Sequence, residues 1–196
     1  MLSFADQIIH VAHLMFERKL TDLCGGNVSV RDGDQIICTP RYAGSRMHWD
    51  LNPSDLMTGS IFDDDLIKAP NFSREGLSHI AVYRAFTSVK AIIHAHPLNV
   101  LPFCAARKPI FPVLKATEKY GTLKFIDDAP NYSQEQANSI IDLLRDQEDR
   151  IEKNAAGVLM PKHGIFMVGA DLYTVLDAVE RIDTNAWCIM SQSLIP

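Results

Sequence analysis

Apolar positions follow two patterns along the chain. Near each end they recur at helical spacing. Phe4, Ile8, Val11, Ala12 and Met15 predict a helix over about residues 3–19 with Ser3 as its N-cap, and Val175, Leu176, Val179 and Ile182 predict a last helix over about 172–191. Two more helices are expected at 77–86, with Ile80, Ala81 and Tyr83 inward, and at 99–107. Ser133 and Gln136 match a capping box, which opens a long helix through about Ile151. Elsewhere the apolar runs are short. Residues 89–93 read as a buried strand. Cys24, Gly25 and Gly26 form a glycine turn into an alternating strand, Asp32, Gly33 and Asp34 have hairpin-turn chemistry, and 35–39 returns as a second strand. A loop over 40–46 follows, and 157–169 reads as two short strands hinged at Lys162, His163 and Gly164. Helix, hairpin, helix, strand, helix, hairpin, helix is an α/β arrangement, and its hairpins argue for a largely antiparallel sheet with helices on its faces. No repeat, low-complexity linker or run of like charge divides the chain, so 1–196 is expected to be one domain.

Composition narrows the function classes. A content of 47% hydrophobic and 22% charged residues suits a globular protein with one sizeable core. The net charge of −5 implies no broad basic surface, which argues against nucleic acid as a main partner and leaves a local basic pocket open. No apolar run approaches the roughly 20 residues that span a bilayer, so no membrane partner is expected. The first residues have no basic stretch followed by an apolar one, and the four cysteines (Cys24, Cys38, Cys104, Cys188) form no CxxC pair. They read as reduced, mostly buried thiols of a cytoplasmic protein, Cys24 as a packing residue near the candidate site.

The chemistry centres on His94, Ala95 and His96, with Pro97 ending the strand. Residues two apart on a strand share a face, so both imidazoles project together. That spacing alone fits a metal site and a hydrogen-bonded polar strand face equally well. His163, in a matching context after a second apolar run, shifts the balance toward a three-histidine centre with an open position. Glu75 is then a fourth ligand or a base. The remaining polar residues also have structural readings: Asn27 for a left-handed turn, Ser73 for a helix N-cap, Glu75 for a helix N-terminus, and Arg41 and Arg46 for solvated cations or an anion clamp. His79 reads as a packed histidine.

Four ordered blocks carry a family resemblance: Gly26-Asn27-Val28-Ser29, Ser73-Arg74-Glu75 with His79, His94-Ala95-His96-Pro97, and Lys162-His163-Gly164. Together they resemble the class II aldolase/adducin family over nearly the whole chain. The resemblance implies a three-layer α/β/α domain around a mostly antiparallel sheet, and a homotetramer with active sites between subunits. It implies His94, His96 and His163 as metal ligands, for zinc or else manganese, cobalt or nickel. It makes Glu75 the acid/base group, and Asn27, Ser29 and Ser73 the holders of an anionic, phosphate-bearing end. Adducin lacks the histidine triad, so the triad favours an enzyme over an interaction module.

Three departures matter. Thr39-Pro40-Arg41-Tyr42-Ala43-Gly44 is longer than the family's compact loop, Arg74 replaces a neutral hydroxyl, and no tyrosine lies in the segment at about 113–117 where one of the family's aldolases has a catalytic one. Tyr120 and Glu118 are the polar alternatives nearby. The expected activity is a metal-dependent lyase performing retro-aldol cleavage of a small ketose phosphate through a metal-stabilised enediolate. The alternative is a decarboxylase of a hydroxy-aromatic acid, with Arg41 or Arg74 on the carboxylate. A sugar-phosphate epimerase or dehydratase is also open.

Overall fold

A computed structural model describes residues 2–195 of the chain. Helix α1 (Phe4–Glu17) begins where expected: the Asp6 N–H donates to the Ser3 hydroxyl, and Ile8, Val11, Ala12 and Met15 are buried. Phe4 is exposed instead, so the buried stripe starts one turn later. The hairpin follows as β1 (Asn27–Asp32) and β2 (Gln35–Cys38), with Gly33 at φ +57° in its turn. β1 does not alternate between core and water, because Asn27, Val28, Ser29 and Val30 are all buried.

The expected loop at 40–46 winds into a short helix, α2 (Ala43–Met47). The sequence pattern did not reveal β3 (Met57–Ser60), which pairs antiparallel with β2, or the short α3 (Asp64–Lys68), capped by Asp63. Next come α4 (Gly76–Ala85), β4 (Ala91–Ala95) and α5 (Leu101–Ala106). Ala81 is only partly buried, whereas Ile80 and Tyr83 are fully inside.

The long helix expected through Ile151 is two helices, α6 (Gln134–Arg145) and α7 (Glu148–Lys153). Gln147 sits at the break, its side-chain amide donating to the carbonyls of Leu143 and Gly157 at 3.0 and 3.3 Å. There the backbone leaves the regular helix: Gln147 has φ −124° and ψ 10°, and its N–H turns back three residues to the Leu144 carbonyl at 2.9 Å. The hairpin β5 (Ala156–Met160) and β6 (Gly164–Gly169) follows, then α8 (Leu172–Ser191), capped by Asp171 and burying the predicted stripe.

The six strands form one sheet in the order β3-β2-β1-β4-β6-β5, every pair antiparallel. A core lies on each face. Val28, Val30, Ala91, Ile93, Ala95, Ile165 and Met167 pack against residues of α1 and α8. Ile92, Val158, Phe166 and Val168 pack against Ile80, Val82 and Tyr83 of α4 and Ile140 and Leu144 of α6. The result is three layers, helix on sheet on helix. Burial on both faces explains why β4 to β6 read as unbroken apolar runs. No helix among the described residues is long and apolar enough to cross a membrane. Cys38 and Cys104 are buried as expected, whereas Cys24 is exposed and Cys188 half-buried.

Candidate metal centre

Strand parity places His94. It shares the side of β4 taken by Ile92, and is paired with Asn27 on one neighbour and Phe166 on the other. His96 follows just beyond the strand, and His163 lies in the β5–β6 turn beside Lys162, whose φ is +55°. The three rings meet with centroids 4.7–5.3 Å apart. One nitrogen from each falls within 4.8 Å of the others.

The hydrogen bonds decide which nitrogen is free. His94 Nδ1 lies 3.0 Å from the Ile165 carbonyl and must carry the proton there, leaving a lone pair on Nε2. His96 Nδ1 lies 3.5 Å from Asp22 Oδ2, which sets the same tautomer. The two Nε2 atoms then face each other at 3.2 Å. Burial pushes the His94 pKa well below 6.5, and burial followed by the neighbouring His96 and Arg74 pushes His163 down to about 4. Burial also lowers His96, with Asp22 opposing. These are neutral imidazoles with converging lone pairs, a donor set that fits a divalent cation.

The two glycine motifs have a steric cause. A Cβ on Gly25 would sit 2.1 Å from His96 Cε1. A Cβ on Gly164 would sit 2.3 Å from the Ala95 carbonyl oxygen and 2.8 Å from His96 Cδ2. Only glycine lets the backbone pass this close to the histidines.

Glu75 precedes α4 and is 2% exposed. Its Oε2 accepts from Gln136 Nε2 at 2.8 Å and Ser78 Oγ at 3.3 Å. Its Oε1 is buried without a hydrogen-bond partner, 3.7 Å from His163 Nδ1. Burial raises its pKa to about 7 against the opposing pull of Ser78, Gln136 and Arg74. A carboxyl whose pKa burial lifts well above the usual carboxylate range, beside a cation-competent cluster, is equipped to take and return a proton.

A cleft with about 540 Å³ of non-atom space, part of it open to solvent, joins these groups to Asn27, Arg41, Ser73, Arg74 and Tyr132. Asn27 Oδ1 and Arg41 Nε are buried without a hydrogen-bond partner. Arg74 stacks 4.6 Å from the centroid of the Tyr132 ring, which stands edge-on to His163 at 6.1 Å. Tyr42 and Tyr132, both lining the cleft, hold φ of +68° and +67°, a conformation costing non-glycine residues about 1 kcal/mol or more.

Ser29 is a correction to the expected phosphate loop. It is fully buried, and its hydroxyl is bonded to His79 Nδ1 at 2.7 Å and Tyr83 Oη at 2.8 Å. It faces α4, not the cleft. His79 is accordingly a packed histidine, with Phe166 edge-on at 5.2 Å. Tyr120 is buried against Asp177, Glu118 pairs with Lys115 at the surface, and Arg46 covers the exposed Tyr42 ring, so none of the three lines the cleft. Sequence reasoning missed Asp22, Gln136 and Tyr132. Gln136 was visible as half of a capping pair, and Asp22 as an acid just before the glycine turn.

The chain matches the model of the class II aldolase and adducin N-terminal domain over residues 6–189 and belongs to that family. It is 28% identical over 180 residues to the L-fuculose phosphate aldolase of Methanococcus maripaludis strain C7, covering 89% of this chain and 91% of that protein. The crystal structure of L-fuculose-1-phosphate aldolase from Thermus thermophilus superimposes with a TM-score of 0.82 at 20% identity, covering 97% of this chain and 94% of that one. A relative with a different reaction, the 3-oxo-tetronate 4-phosphate decarboxylase of Haemophilus influenzae, is 23% identical over 94% of this chain and 86% of its own length.

Proposed function

We propose that the protein is a metal-dependent carbon–carbon lyase, one class II aldolase-like domain over 1–196, that cleaves a small ketose phosphate in the retro-aldol direction. The observation that carries this reading is the pairing of three neutral, converging imidazoles with Glu75, a buried carboxyl whose pKa is raised to about 7. His94, His96 and His163 would hold a divalent ion, zinc first, with manganese, cobalt or nickel as alternatives. When bound, the ion supplies positive charge where negative charge develops on substrate oxygen.

The rest is the work of the chain's own groups. Asn27, Ser73, Arg41 and Arg74 line the cleft and would bind the phosphate end, the arginines by charge and the others by hydrogen bonds. Cleavage passes the proton of the hydroxyl on the far side of the scissile bond to water in the open cleft, makes that carbon a carbonyl, and sends the bond's electron pair toward the ketone, while Glu75 enters the step protonated. Glu75 then delivers a proton to the carbon beside the ketone. In the reverse direction the Glu75 carboxylate removes that proton. Low exposure of the carboxyl keeps bulk water from competing for it. By family likeness the protein would act as a homotetramer in the cytoplasm, with the cleft completed between subunits.

The test is proton exchange. Zinc-loaded protein is incubated with dihydroxyacetone phosphate in D2O and followed by NMR, with Glu75→Gln as control. Stereospecific deuterium at the carbon beside the ketone, absent in the control, is expected. No exchange from protein carrying one equivalent of metal would overturn the aldolase reading. The second reading, decarboxylation of a hydroxy-aromatic acid at the same site, is favoured by the unpartnered Arg41 Nε, a donor suited to a carboxylate. Released carbon dioxide would identify it.

A further inference from the structure

Ser133 and Gln136 complete only half of their capping box. The Gln136 N–H donates to Ser133 Oγ at 3.1 Å, but the Gln136 side chain does not return to the cap. Its Oε1 accepts the Tyr132 N–H at 3.2 Å, and its Nε2 crosses to Glu75 Oε2 at 2.8 Å and Ser78 Oγ at 3.4 Å. Gln136 is 1% exposed, so this amide is committed to internal partners.

The consequence for Glu75 is orientational. Rotation of a carboxyl about its last torsion is soft and nearly two-fold, so nothing local distinguishes one oxygen from the other. The Gln136 amide and the Ser78 hydroxyl both fall on Oε2, and Oε1 is left unpartnered toward His163. The other arm of the same amide holds the main chain of Tyr132, whose ring lies between Arg74 and His163.

We propose that Gln136 is a positioning residue for the proton-carrying carboxyl: it pins Oε2 of Glu75 so that Oε1 faces the histidine cluster, and it ties that carboxyl to the Tyr132–Arg74 wall of the cleft. A ligand that engages Arg74 or displaces Tyr132 therefore bears on the Glu75 carboxyl through one side chain. The inference rests on the reading of Glu75 as proton carrier given above.

Two variants test it. Gln136→Met removes both arms at similar volume. Gln136→Glu keeps the acceptor for the Tyr132 amide and loses the donor to Glu75. In zinc-loaded protein, kcat for exchange of dihydroxyacetone phosphate in D2O is expected to fall about ten- to hundredfold in both. In Gln136→Glu, which keeps the Tyr132 arm, KM should stay within about twofold and one equivalent of metal should remain bound, a split that a general loosening of the cleft would not give. The metal-free protein supplies a second readout. Gln136→Met is expected to lower the thermal midpoint in the wild-type background and to lower it less in a Glu75→Met background, where only the Tyr132 N–H still depends on the amide. Unchanged kcat in both variants, or a fall matched by loss of metal, overturns the proposal. Should wild-type protein show no exchange, the functional reading fails on its own, and additive midpoint shifts in the metal-free cycle would then overturn the pinning of Glu75 as well.

Discussion

Asp22 meets His96 through one carboxylate oxygen, Oδ2, 3.5 Å from Nδ1, while its other oxygen accepts the N–H groups of Cys24 and Gly25 at 2.7 and 2.9 Å. A single side chain thus shapes the glycine turn and sets the tautomer of the histidine packed against it. Asp22→Asn retains an acceptor for the turn and presents an amide N–H to an imidazole that needs an acceptor. Metal affinity, measured by competition with a chromophoric chelator, is expected to fall about 10- to 100-fold with little change in thermal midpoint. Unchanged affinity would mean that Asp22 serves the turn alone.

The two crowded glycines should separate metal binding from folding. The Cβ of Gly25→Ala would first meet the imidazole of His96, a group that can swing away, so metal content should drop while the fold survives. The Cβ of Gly164→Ala would meet the backbone carbonyl of Ala95, inside the β4–β6 pairing, where nothing can yield cheaply. That variant should lose metal and also about 1–3 kcal/mol of stability by urea unfolding. Equal midpoints for both variants would contradict this packing.

The legible parts of this protein are those whose cause is local. Helices α1 and α8 announce themselves by an apolar stripe with a Ser or Asp cap, and the histidine pair by strand parity followed by Pro97. The illegible parts have distant causes. β3 carries Met57, Thr58, Gly59 and Ser60, no alternation at all, and is a strand because β2 offers it an edge. At the α6–α7 break Gln147 bonds the Gly157 carbonyl, ten residues on, a partner that no local pattern shows. Ser29 looked like a loop donor because its block matches the family, yet β1 is covered on both faces and its hydroxyl points to α4. Gln136 was placed correctly at a helix start, but its partner Glu75 is 61 residues away.

His79 gives a pH dependence of stability with a definite sign. Burial lowers its pKa from 6.5 to about 3, so the folded chain keeps it neutral where the unfolded chain protonates it. Below pH 6.5 the unfolded state therefore binds more protons, stability rises with pH, and the contribution is lost as pH falls from 6.5 toward 3. The slope per titrating group is about 1.4 kcal/mol per pH unit, or a few kcal/mol across the window. In metal-free protein, His79→Asn should show a shallower decline of urea-unfolding free energy between about pH 6 and 4 than wild type. Parallel curves would mean that His79 does not titrate as its burial dictates.

Ser29 and Ser73 should behave oppositely, and the contrast decides which serine faces substrate. Ser29→Ala removes a hydroxyl that bridges two buried groups, His79 Nδ1 and Tyr83 Oη, and leaves both without a partner. A loss of about 1–3 kcal/mol in unfolding free energy is expected, with KM for a sugar-phosphate substrate unchanged. Ser73→Ala, at the wall of the cleft beside Arg74, should cost little stability and should raise KM and weaken inhibition by inorganic phosphate several-fold. If instead Ser29→Ala raised KM and left stability intact, the β1 hydroxyl would have to reach the cleft, and the packing of α4 on this side of the sheet would be wrong.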